Sequence, residues 1–122
     1  MNICRSLSLV FLFCIACDKP LPTLDGIDKV QWEEDKSGCK GVRSTMRESI
    51  ESQKEKLLAL DQLQIVELLG RPDQNELSKR NQKFFYYFID PAPRCAGASN
   101  TAAKRLVIRF NAMGLAKEVS IE

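Results

Sequence analysis

"RLVIRFNAMGLAKEVSIE", Arg105 to Glu122, is the stretch whose reading decides the fold. In a strand, alternate residues share a face. Leu106, Ile108 and Phe110 fall on one face here, with Arg105, Val107 and Arg109 on the other. "AMG" turns the chain, and Gly114 can take the positive φ that such a turn needs. Leu115, Lys117, Val119 and Ile121 then share a face, with Lys117 interrupting it near the turn. The two segments predict a hairpin. Upstream, "KFFYYFID", Lys83 to Asp90, is aromatic or β-branched through its middle and predicts a third strand. Both of its faces are apolar. It is therefore central or covered by helices, or else one aromatic face is open to a ligand. The loop between, Pro91 to Ala103, carries Cys95, and Asp73 to Gln82 reads as a polar connection.

Helices precede this meander. In "LALDQLQIVELLGRPD", Leu58 to Asp73, Asp61 is an N-cap with Gln64 three residues on, which makes a capping box. Leu60 and Ile65 form the hydrophobic staple around it. Gly70 supplies a left-handed C-cap, and Pro72 prevents continuation. Cys39 to Leu58 predicts a longer helix, with Val42, Met46, Ile50 and Leu57 on its apolar face and Arg43, Arg47, Glu48, Glu51, Lys54, Glu55 and Lys56 in solvent. Asp28 caps a short helix that Gly38 ends, and Trp32, the one tryptophan, is its core anchor or a partner-binding hot spot. Helices followed by three antiparallel strands predict a two-layer α+β domain, ααβββ, over residues 27–122.

The beginning of the chain reads differently. Arg5 precedes an apolar run, Leu7 to Ala16. The run is about half the roughly 20 residues that a membrane span requires, and it suits the h-region of an export signal over residues 1–16. "CIAC", Cys14 to Cys17, resembles the lipobox of bacterial lipoproteins, with Cys14 where Leu is usual. The resemblance implies cleavage before Cys17 and acylation of its thiol. An ordinary secretory signal is the alternative. Two or three acyl chains anchor a protein stably. Residues 17–26, with two prolines, read as a tether, extended at about 3.1 Å per residue.

Loss of Arg5 with the signal takes the 18 basic residues to 17, against 16 acidic. That balance argues against a nucleic-acid partner, which selects for a basic excess on one face. Of the five cysteines, Cys4 and Cys14 leave with the signal and Cys17 carries lipid, so Cys39 and Cys95 remain. In an oxidising compartment a disulfide is the natural reading of such a pair, with two free thiols the alternative. The chain has no histidine. That excludes a Ser-His-Asp triad and removes the commonest general base and metal ligand. No cofactor, no metal site and no catalytic residue is expected, and the chain does not read as an enzyme.

The capped helix, the aromatic strand and the hairpin together resemble the SmpA/OmlA, or BamE-like, lipoprotein domain. Leu68, Leu69, Gly70 and Pro72 match its helix end, Tyr86 or Tyr87 its aromatic strand, and Phe110, Asn111 and Gly114 its hairpin. The resemblance spans Leu57 to Ile121. Ala59 stands where the family usually has Gly, Ile27 to Leu57 is more helical than the family pattern, and the cysteine pair is not a family hallmark. The resemblance implies a non-catalytic, protein-binding role in the cell envelope, facing the periplasm. One form is an accessory of outer-membrane protein assembly. The alternative is a periplasmic inhibitor or ligand-binding lipoprotein, since secreted inhibitors of this topology bind enzymes through an exposed sheet face. Tyr86, Tyr87, Arg105 and Arg109 are the expected partner contacts, and the competing reading makes them core and solvated sheet. The family points to the outer membrane. Asp18, directly after the lipidated cysteine, is associated in enteric-type bacteria with retention in the inner membrane.

Overall fold

A computed structural model describes residues 20–97 and 102–122. The signal segment 1–16, Cys17 and Asp18 lie outside the described residues. Among the described residues the fold is α+β, with four α-helices and one antiparallel sheet. The helices are α1 (Lys29–Glu34), α2 (Val42–Thr45), α3 (Arg47–Gln53) and α4 (Gln62–Leu69). The sheet has four strands rather than three, in the order β1 (Gln74–Leu77), β2 (Lys83–Phe88), β3 (Arg105–Phe110), β4 (Ala116–Ile121).

The added strand, β1, comes from the stretch read as a polar connection. All four of its residues are exposed, so it carries no apolar alternation by which a sequence betrays a strand. It forms because its backbone pairs with β2, Gln74 opposite Tyr86 and Leu77 opposite Lys83. The turn between them places Arg80 and Asn81 at positive φ, 65° and 58°.

The α4 signals act as their chemistry requires. The Asp61 carboxylate accepts from Gln64 N, and the Gln64 side chain accepts from Asp61 N. Leu60 and Ile65 are fully buried. Gly70 has φ 76° and ψ −173°. This is an extended positive-φ conformation open essentially to glycine, not the left-handed cap expected. Asp28 caps α1 by accepting from Gln31 N, but α1 ends at Asp35, ahead of Gly38.

The expected long helix is broken. α2 and α3 meet at Met46 (φ −98°, ψ 3°), and a 3-10 turn, Lys54–Leu57, follows α3. Local side-chain bonds compete with the helical ladder here. Thr45 Oγ1 donates to Val42 O at 2.6 Å, and Ser52 Oγ and Gln53 Nε2 both donate to Ser49 O. The apolar face nevertheless holds, since Met46, Ile50 and Leu57 are buried. Arg43, expected in solvent, is 1% exposed.

All the described helices pack on one face of the sheet. Trp32, Ile50, Leu57, Leu60, Ile65 and Leu69 meet Phe85, Tyr87, Ile89, Leu106, Ile108 and Phe110 in the main core. Lys117 does not interrupt the inward face. The pairing shifts by one residue between Arg109 and Phe110. This bulge puts Ala116 inward, 2% exposed and opposite Phe110, and leaves Lys117 in solvent. An extra residue in one strand shifts the alternation in this way.

The last residues of the stretch read as a tether are docked. Gln53 accepts from Asp25 N and donates to Asp25 O, Lys56 Nζ donates to Thr23 O at 3.0 Å, and Leu24 packs on the core. Cys39 and Cys95 are joined by a disulfide, with Cα atoms 5.4 Å apart.

Candidate functional site

The register sorts the expected contact residues. Tyr86 pairs with Val107, Phe84 with Arg109, and Phe88 with Arg105. These six therefore share the face turned away from the helices, together with Gln74 and Glu76 on β1 and Glu118 and Ser120 on β4. Tyr87 points the other way. It is fully buried, and its hydroxyl donates to Gly70 O at 2.8 Å, so it belongs to the core and is no contact residue. Burial, then the Asp73 carboxylate, holds its phenol well above the ordinary tyrosine range. Trp32 is also fully buried, 6.4 Å from the Tyr87 ring and under the Arg43 guanidinium. It is a core anchor.

On the outer face the aromatic rings are ordered. Phe84 and Tyr86 stack nearly parallel, 6.2 Å apart. The Arg105 guanidinium lies 4.1 Å from the Tyr86 ring centroid, and the Tyr86 hydroxyl donates to Glu76 at 3.1 Å. Burial first, then the Glu76 carboxylate, raises the Tyr86 pKa above 10.0, and Arg105 opposes the shift. Arg109 is engaged by Glu118 at 3.3 Å. Arg105, by contrast, faces no carboxylate within salt-bridge distance among the described residues.

Two clefts open at one end of the sheet. The larger, about 690 Å³, lies between the outer face and the disulfide-bonded loop. Phe88, Ala92 and Ala103 supply its apolar wall, and Arg94, Lys104, Arg105 and Glu122 its charges. The smaller, about 460 Å³, is bordered by Glu33, Lys36, Arg71, Asp73 and again Arg94. Volumes in this range are those of ordinary ligand sites.

A buried polar network holds this end together, and composition gave no sign of it. Arg43 Nη1 and Asp73 Oδ2 pair at 2.6 Å with both side chains almost wholly buried. The same oxygen accepts from Phe88 N, Asp73 Oδ1 accepts from Ser37 N, and Arg43 also donates to Trp32 O and Phe88 O. Asp35, 0% exposed, accepts from Lys40 N and Arg43 N. The network binds α1, α2 and the first residues after α4 to the end of β2. It is structural, since every charged group in it is consumed by the fold. Among the described residues, no group of acidic or cysteine side chains is placed to hold a metal ion. No helix among them is long and apolar enough to cross a membrane.

No family model, curated protein or solved structure matches the chain.

Proposed function

We propose that this chain is a lipid-anchored cell-envelope protein of BamE-like fold, acting as a non-catalytic protein-interaction module. The observation that carries the reading is the outer sheet face. It sets Phe84, Tyr86, Phe88 and Val107 between Arg105 and Arg109, with all described helices on the opposite face; Tyr86, Phe88 and Val107 are only 9%, 8% and 6% exposed, so Arg105, Arg109 and the half-buried Phe84 ring are what this face offers most of to a partner. Aromatic and arginine side chains dominate interface energies. The order of helices before an antiparallel sheet, ending in a hairpin, also supports the reading. So does Ala59, which takes φ 66° at the position where the family usually has glycine. The lipobox-like segment before Cys17 supports a lipid anchor at that residue, and the resemblance to the BamE-like family supports an accessory role in outer-membrane assembly.

A second reading, a periplasmic inhibitor or ligand-binding lipoprotein, is favoured by the cleft of about 690 Å³ beside that face. Crosslinking and affinity capture from native membranes separate the two. Barrel-assembly components captured with the wild-type chain and lost with Tyr86→Ala support the first, and a soluble hydrolase supports the second. Capture unchanged by Tyr86→Ala together with Arg109→Ala, in folded protein, removes the outer face from the argument.

A further inference from the structure

Five large apolar side chains are exposed among the described residues, and four of them gather at one end of the domain. Met113, the most exposed at 83%, stands in the β3–β4 turn, which a backbone hydrogen bond from Asn111 N to Leu115 O closes. Leu63 lies in the first turn of α4, beside that hairpin, since Asp61 pairs with Leu115 and Leu60 O accepts from Ala116 N. Leu77 ends β1 opposite Lys83, and Lys83 is opposite Phe110, the last residue of β3. Leu21 is the fourth, and the course of the chain around it leads to the same end. Val30, the fifth, is on α1, whose Glu33 lies against Gly70 at the far end of the sheet.

The lead into the domain is fixed along α3 and points toward the hairpin. α2 starts at the far end, where Arg43 donates to Phe88 O and Ser44 to Ile89 O. The 3-10 turn after α3 arrives at the hairpin end, where Ala59 N donates to Ala116 O. The residues before α1 retrace this path in reverse. Gly26 lies against Ser49, Asp25 is bonded to Gln53, and Thr23 O accepts from Lys56 Nζ. Toward its N-terminus the chain therefore moves to the hairpin end, and Leu21 is two residues beyond Thr23. From Thr23 to Cys17, the expected lipid anchor, there are six residue steps. Their reach is at most about 21 Å. Six-residue strands hold the far end about 17 Å away from the hairpin end. The far end meets a bilayer only if nearly all of that reach runs back along the domain, whereas the hairpin end meets it with slack.

We propose that the hairpin end is a bilayer-contacting surface. Leu21, Leu63, Leu77 and Met113 seat in the headgroup region of the membrane that holds the acyl chains of Cys17, and the β1–β2 turn, the β3–β4 turn and the start of α4 face that membrane. Apolar side chains scattered singly over a surface are ordinary. Their gathering at the end from which the anchor emerges is what selects a lipid surface. Lys54, Lys79, Arg80, Lys83 and Lys117 lie at this end and outside salt-bridge distance of any described carboxylate. Cations are about as numerous at the far end, so charge does not choose the surface. Lysines around apolar tips are nevertheless compatible with it, since their stems lie along apolar surface while the ammonium reaches the phosphates. The proposal rests on the lipid-anchor reading and adds the orientation of the domain, with both clefts held away from the bilayer.

The test uses the full chain purified from membranes, with the native disulfide intact, in vesicles of phosphatidylcholine doped with headgroup-spin-labelled phosphatidylcholine. A fluorophore is placed at the hairpin end through Lys79→Cys or at the far end through Arg71→Cys, and quenching by the spin label is read. Quenching at the Lys79 position exceeds that at the Arg71 position by about threefold or more, because apolar tips at the headgroup boundary bring one end close and leave the other a strand length away. Leu63→Glu with Met113→Glu abolishes most of that difference, whereas Val30→Glu preserves it. Circular dichroism shows that each variant is folded. Equal quenching at the two positions overturns the proposal, as does a difference that the glutamate pair leaves intact, since the tether alone then explains it. A dimer in neutral detergent that the glutamate pair dissociates also overturns it, in favour of a second copy on the same tips. Mass spectrometry of the N-terminal peptide reads acylation of Cys17 separately. Absence of acylation removes the anchor reading and this proposal together, whereas acylated protein with equal quenching removes the proposal alone.

Discussion

Replacing Asp73 by Asn keeps the shape of the side chain and should still destabilise the fold severely. The carboxylate accepts three hydrogen bonds, from Ser37 N, Arg43 Nη1 and Phe88 N. All three partners are donors. An amide offers one oxygen and one NH₂ group, so in either orientation a donor faces a donor. If the oxygen stays at Ser37, the NH₂ meets both Arg43 and Phe88. The Arg43 charge, 1% exposed, then loses its counter-ion. Breaking a buried pair by removing one partner costs about 3–5 kcal/mol, a large share of the 5–15 kcal/mol typical of a domain. For a domain near this size, each kcal/mol lowers Tm by about 4–8 °C, so a fall of at least about 12 °C is expected. Urea unfolding should show a lower midpoint with an unchanged slope. Arg43→Met combined with Asp73→Asn should cost less than the sum of the singles by about 1–3 kcal/mol, because no unpaired charge remains. A loss below about 1 kcal/mol for Asp73→Asn, or strictly additive singles, would refute the reasoning.

Three further outcomes are expected. Cys39→Ser with Cys95→Ser opens a loop with a sequence separation of 56 and should cost about 4 kcal/mol in the chain-entropy description; an unchanged urea midpoint argues against it. Both tyrosines hold their protons more tightly folded than at the unfolded value of 10.0. Stability is therefore fully present below pH 10 and falls as pH rises past it, so phenolate absorbance should develop together with loss of near-UV circular dichroism, and full titration of both phenols in native protein near pH 10 would contradict the burial argument. Ala59→Gly should raise stability by about 0.5–1 kcal/mol by relieving a positive φ in a residue with a Cβ, whereas Gly70→Ala should lower it, since its Cβ would lie 2.5 Å from Glu33 Cγ at φ +76°; equilibrium denaturation of the pair checks both signs.

Local signals and long-range ones were legible to different degrees. The α4 N-cap, its staple and the turn of the β3–β4 hairpin are written in short stretches whose chemistry acts within a few residues, and they stand as read, while the Gly70 conformation and the alternation of β4 past the bulge do not. β1 was not legible because it is paired only through its backbone and presents no apolar side chain inward. Arg43 was misplaced for a related reason. A helical wheel puts charge outward by default, and the partner that draws it in, Asp73, lies thirty residues on. The break at Met46 had a local cue in Thr45, which the apolar periodicity outweighed.

For the site, the sequence separated the inward and outward sets of β3, placing Arg105 and Arg109 opposite Leu106 and Phe110. It could not choose between Tyr86 and Tyr87, since β2 is apolar on both faces. Only the docking of α4, which brings Gly70 O to the Tyr87 hydroxyl, assigns Tyr87 to the core and leaves Tyr86 outward. Sequence by itself determined the elements whose causes are local: N-caps, turns, the alternation of β3, and a pair of cysteines, Cys39 and Cys95, suited to bonding. The tertiary structure decided which charges are buried and which side chains turn away from the helices. Burial and electrostatics depend on distance in space, which the order of residues leaves unstated until the chain is packed.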